Sequence, residues 1–234
     1  MKEINFDDVL NIYEKEIRKN TKNKQKIYKF EKYKMMNLKK ICYELNNINY
    51  NGGIYNIFLI KYPKERIIMS LNIKDKIINH YVSRYFLIPK LENKLDDRNV
   101  ATRPFKGRDY GIKLIKKYLE EMKKYDKFYI LKLDISKYFY SIDHNRLKEM
   151  LRKDMGNTFE FKYICNIIDS TNKDYINECI KKIKEREKSK DVDNIPYYIY
   201  GKGLPIGYRN YNIMHDYKIK YYLRYMLWLY FNSL

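Results

Sequence analysis

The residues best suited to chemistry lie in one stretch, Tyr129–Leu147, which reads YILKLDISKYFYSIDHNRL. Tyr129, Leu131, Leu133 and Ile135 alternate, which predicts a half-buried strand with Lys132 and Asp134 on its other face. Asp134 then stands at the strand end, with aromatic residues crowded behind it. A carboxylate on a rigid strand end is a ligand for a hard cation such as Mg²⁺, which takes oxygen donors and binds together with substrate phosphates. Ser141 or Asp143 follows where it can cap a helix whose apolar side is Leu147, Met150 and Leu151. Strand, acidic tip, aromatic turn and helix are the parts that metal-dependent nucleotidyl transfer needs.

Other candidate residues are basic or conformational. Lys64 and Arg66 sit in the short link Pro63–Arg66 between two β-prone runs, Ile54–Lys61 and Ile67–Ser70, which read as a hairpin. Arg103, Lys106 and Arg108 surround Gly107, where the missing side chain lets a phosphate approach the backbone. Ile199–Gly207, IYGKGLPIG, combines glycines with Pro205 into a bent backbone able to lie close to a ligand. Cys42, Cys165 and Cys179 are far apart in sequence and form no CxxC, which points away from zinc and from a disulfide framework.

The elements that must position these residues follow from apolar spacing. Phe6, Val9, Leu10, Tyr13 and Ile17 predict one helix. After the basic break Thr21–Lys26, a second is expected through Phe30, Tyr33, Leu38, Ile41, Cys42 and Leu45. Asn51-Gly52-Gly53 signals a turn before the hairpin. A helix over 73–87 is expected to end at Pro89, with His80 serving its packing. Another over 109–124 is expected to turn Ile112, Ile115, Leu119 and Met122 inward. Helices over 159–168 and 175–183 follow, and Lys181–Asn194 reads as a solvated, mobile connection.

The 234 residues suffice for one large domain or two small ones. Net charge is +20, from 49 basic and 29 acidic residues, an excess that attracts phosphate backbones. The cations are spread along the chain, and Lys, Asn, Ile and Tyr abound as an AT-rich coding sequence would give. Charge alone therefore does not select nucleic acid. The first twenty residues carry charge throughout, unlike a signal peptide, and no run of about 18 apolar residues suits a membrane span. The expectation is a cytoplasmic protein.

The run DIxxYFxxIDHxxL at Asp134–Leu147 resembles motif A of reverse transcriptases from bacterial retroelements and group II introns. The resemblance implies that Asp134 binds both catalytic metals and that Ile135 and Phe139 line the nucleotide site, Phe139 screening the sugar 2′ position. Pro63–Arg66 is similar to the "PK.R" turn of the family's fingers hairpin, which makes Lys64 and Arg66 triphosphate contacts. NIKDKIINHYVSRYFLIPKLE resembles the family's "xxxDrivxxxlxxxlxPxle". NVATRPFKGR resembles "syAxRxgrGt", which implies that Arg103, Lys106 and Arg108 hold template or nucleotide phosphates. IYGKGLPIG, about 70 residues past Asp134, resembles motif B, with Gly203, Leu204, Pro205 and Gly207 in the matching places.

The implied fold is α+β: fingers (51–128) and an incomplete palm (129–234), preceded by an N-terminal helical extension (1–50). The implied activity is RNA-templated DNA synthesis with Mg²⁺ and deoxynucleoside triphosphates on an RNA template and DNA primer or RNA–DNA hybrid. The pattern breaks after Gly207. Tyr221–Met226 resembles the strand leading into "YxDD", but Leu227 and Trp228 stand where the aspartates belong. Two-metal catalysis holds its cations about 3.5–4 Å apart, more than Asp134 alone can do. A truncated, inactive form is therefore expected, its missing palm and thumb supplied, if at all, by a second chain. The alternative is a non-catalytic remnant that binds nucleic acid or a partner.

Overall fold

Asn5 caps the first helix, α1 (Phe6–Ile12), by accepting the Asp7 N–H at 2.9 Å, and the chain continues as a π-helical turn through Tyr13–Arg18. The computed structural model describes residues 4–48, 50–100, 105–130 and 136–205. The expected second helix is in fact two, α2 (Lys24–Glu31) and α3 (Lys34–Asn46). Tyr33 leaves helical geometry at φ −128°, and the Asn37 amide donates to the Phe30 carbonyl at 2.9 Å, occupying an acceptor freed by the break.

Next come strands β1 (Tyr55–Ile60) and β2 (Arg66–Leu71), paired antiparallel from Tyr55↔Leu71 to Ile60↔Arg66. Asn72 caps α4 (Ile73–Tyr81), which continues as a π-helical stretch through Val82–Leu87 and then as α5 (Ile88–Leu91). Pro89 therefore does not end the helix. It falls in the first turn of α5, where its missing N–H leaves no bond unmade. His80 meets Glu16, with Nδ1 2.7 Å from Oε2.

Helix α6 (Arg108–Met122) has no buried residue. Half of its expected inward side is exposed, Ile112 at 42% and Ile115 at 60%, while Leu119 and Met122 are half-buried. After the short α7 (Tyr138–Ser141) come α8 (His144–Met155), α9 (Phe159–Ile168), α10 (Asp174–Glu187) and α11 (Lys190–Asp193). Lys181–Asn194 is not a mobile connection. The stripe Ile176, Ile180 and Ile183 holds α10 helical to Glu187, Ser189 caps α11, and Val192 is fully buried.

Two hydrophobic clusters organise the molecule. The larger joins Val9, Ile12 and Tyr13 to Leu38 and Ile41, to Ile77, Ile78 and Leu87, and to Leu147, Leu151, Ile164 and Ile168. The N-terminal helices thus share a core with residues far along the chain. The smaller lies under the hairpin, where Tyr55, Ile67, Met69 and Leu71 meet Ile176, Ile180, Val192 and Tyr198. The described residues are mostly helical with a single two-stranded sheet, an α+β arrangement. Among them, no helix is long and apolar enough to cross a membrane.

Candidate functional site

The segment Phe139–His144 and the glycine loop Gly201–Leu204, some sixty residues apart in sequence, are bound to each other backbone to backbone. Leu204 N–H donates to Phe139 O at 2.8 Å, Gly203 N–H to Ile142 O at 2.8 Å, and His144 N–H to Gly201 O at 2.9 Å. Asp143, not Ser141, caps α8, its Oδ1 accepting Arg146 N–H at 2.9 Å. Side chains reinforce the loop. Asn172 Oδ1 accepts Gly201 N–H at 2.8 Å, and the Asn177 side chain holds both backbone groups of Tyr198, at 2.8 and 2.9 Å.

One carbonyl collects two side-chain donors. Gly203 O lies 2.8 Å from His144 Nε2 and 2.9 Å from Thr171 Oγ1. His144 is buried, and its Nδ1 is 3.2 Å from Asp169 Oδ1. Lys148 Nζ donates to the other oxygen of Asp169 at 2.5 Å. Burial works against ionisation of Asp169, but hydrogen bonds from His144 and Lys148 outweigh it and hold the carboxyl below the usual range.

Beside this network opens a polar cleft of about 560 Å³, lined by Asn51, Asn145, Lys148, Lys173, Tyr200 and Lys202 among others. Lys173 donates to the carbonyls of Gly52 and Gly53, both at 3.0 Å, and burial pushes its ammonium below the usual lysine range. Nearby, burial raises the carboxyl of Asp75, against the pull of Lys74, the Ile54 N–H and Tyr50.

The residues singled out in the sequence are distributed unevenly. The segment of Phe139 and the loop of Gly203 come together, and Pro205 follows on that loop, buried. Phe139 packs on the larger core and edge-on to Tyr138, with ring centroids 5.9 Å apart. Gly203, at φ +90°, has its close neighbour within the chain: an added Cβ would lie 2.7 Å from the Tyr198 ring. Lys64 and Arg66 are exposed at the hairpin end, and among the described residues neither joins an ion pair. Lys61 and Glu65 anchor that end instead, to Glu187 at 2.6 Å and to Ser189. Lys106 is occupied by Asp97 and lies over the Tyr110 ring, whereas Arg108 is exposed, 3.8 Å from Asp109. Asp134, Ile135, Arg103 and Gly207 lie outside the described residues, as do Tyr221–Trp228. Tyr129 and Ile130, at the start of the expected strand, are exposed and belong to no regular element.

Among the described residues no three His, Cys, Asp or Glu side chains converge. Asp134, the carboxylate expected to hold Mg²⁺, lies outside those residues. Sequence reasoning passes over His144, Asp169 and Thr171. Their only signal is a histidine directly after a capping aspartate and an Asp-Ser-Thr triplet between two helices. No protein-family model matches this chain, and no curated protein does.

Proposed function

We propose that this chain is a reverse-transcriptase-like protein whose fingers and partial palm bind RNA or an RNA–DNA hybrid without completing DNA synthesis. The observation that carries this reading is the backbone pairing of Phe139–His144 with Gly201–Leu204. In the resembled family the first motif lines the nucleotide site and the second lies close to the template base pair, so a polymerase-like site needs them near each other. The exposed cations Lys64 and Arg66 are in keeping with phosphate contacts, since a planar guanidinium matches phosphate oxygens. Binding without turnover is expected because Leu227 and Trp228 replace the second carboxylate pair.

A second reading, a partner-binding protein, is favoured by α6, which has no fully buried residue and exposes Ile112 and Ile115 of its apolar stripe. Primer extension on an RNA template with Mg²⁺ and deoxynucleoside triphosphates tests the first reading, comparing wild type with Asp134→Ala and measuring RNA binding in parallel. The expected result is no incorporation by either protein, with RNA binding that weakens as salt rises. Incorporation that disappears in the variant would make the chain a working polymerase. Failure to bind RNA even at low salt would leave the partner-binding reading.

A further inference from the structure

In the polar cleft beside the glycine loop, the hydrogen-bonding capacity left unused is mostly that of donors. Two carboxylates line the cleft, and both are already engaged by the chain. Asp143 Oδ1 accepts the Arg146 N–H as the cap of α8, and the two oxygens of Asp169 face His144 and Lys148. The donors are not used up. Of the three N–H groups on each ammonium, Lys148 spends one on Asp169 and Lys173 spends two on the carbonyls of Gly52 and Gly53. Asn172 accepts the Gly201 N–H with its oxygen, which leaves its NH₂ facing the cleft side of the loop without a bond among the described residues. Asn145 and Lys202 are exposed in the lining, and neither side chain has a partner among the described residues.

An aromatic face stands at the rim. Tyr200, directly before Gly201, is 85% exposed, and among the described residues no ring stacks on it. The walls are set without a ligand. Lys173 ties the turn at Gly52 and Gly53, and Asn172 ties the glycine loop, to one short segment between α9 and α10, which lowers the cost of ordering a bound molecule. The volume of about 560 Å³ falls within the range of small-ligand sites, about 300–1,000 Å³. Spare donors and cations suit a phosphate, and an open aromatic ring suits a planar base. That base must be unpaired and splayed out, because a base inside a duplex is already stacked on its neighbours. We infer that the cleft holds one nucleoside phosphate, free or in a single strand, with Lys148, Lys202, Asn145 and Asn172 on the phosphate and Tyr200 stacked on the base. This rests on the reading of the chain as a nucleic-acid-binding protein, and it adds a site for an unpaired nucleotide to the cations Lys64 and Arg66 of the hairpin.

Isothermal titration calorimetry on the intact chain at low salt tests it with three probes: a short oligouridylate, uridine monophosphate and a blunt RNA–DNA hybrid. Tyr200→Ala removes an exposed ring and should weaken the oligouridylate about fivefold or more, the factor a lost base–aromatic stack implies, while hybrid affinity stays unchanged. Asn145→Asp keeps the shape and replaces a donor by a negative charge. An acidic residue in the first turn of α8 favours the helix, so weaker binding by this variant does not come from unfolding. It should weaken the same probe about tenfold or more, as loss of a hydrogen bond to a charged group does. Weakening seen with the oligouridylate assigns the site to a strand, and weakening seen with uridine monophosphate alone assigns it to a free nucleotide; either supports the inference. Unchanged affinity in both variants, or hybrid binding with neither smaller probe bound, would overturn this inference and leave the nucleic-acid reading standing. A chain that binds none of the three would overturn both.

Discussion

Gly203 separates what one residue's identity reveals from what its neighbours impose. Its run of glycines and proline marks a bend in the sequence, but the reason no side chain fits is the Tyr198 ring, seen only in the fold. Gly201 has a similar left-handed φ, +74°, with open space where a Cβ would go. The two glycines should therefore respond differently. Gly203→Ala combines backbone strain with overpacking, which alone costs about 1–3 kcal/mol. Gly201→Ala carries only the left-handed strain, about 1–2 kcal/mol. Urea denaturation should rank Gly203→Ala clearly lower in stability, and equal losses would contradict this packing. His144 was less legible still, because a histidine's role depends on which acceptors surround it, and those come from residues 25 and 59 positions away.

Helices were legible from apolar spacing, and some of them also carry a cap. Thr158 before α9 and Asn72 before α4 are such cases, each side chain accepting an N–H three residues on. Spacing misled where it could not say what lies opposite. The stripe on α10 and the stripe on α6 look alike in sequence, yet the first is buried under the hairpin and the second is half exposed, with no residue fully buried. The Pro89 stop failed because a π-helical stretch had already shifted the hydrogen-bond ladder ahead of the proline. The contrast between the two stripes is measurable. Ile180→Ala opens a cavity in the smaller core and should cost about 2–5 kcal/mol. Ile115→Ala on α6 should stay within about 0.5 kcal/mol. Thermal unfolding of both variants checks this, and a large loss for Ile115→Ala would mean that α6 is covered in solution.

At the scale of the whole molecule, the α+β class was legible from element order. That the first fifty residues share a core with α8 and α9 was not, since no local pattern encodes contacts between distant helices. The charge of +20 is likewise a bulk property until cations are sorted by what already holds them. Lys106 is held by Asp97, whereas Lys64 and Arg66 project from the hairpin without an ion pair among the described residues. The most direct measurement is the affinity for an RNA–DNA hybrid across a salt series, for wild type, Lys64→Ala/Arg66→Ala and Lys106→Ala. Each phosphate contact contributes about 0.9 to the slope of log affinity against log salt. The double variant should lose close to two such contacts and Lys106→Ala none. A slope unchanged in the double variant, or no hybrid binding by the wild type, would contradict a fingers surface that grips nucleic acid.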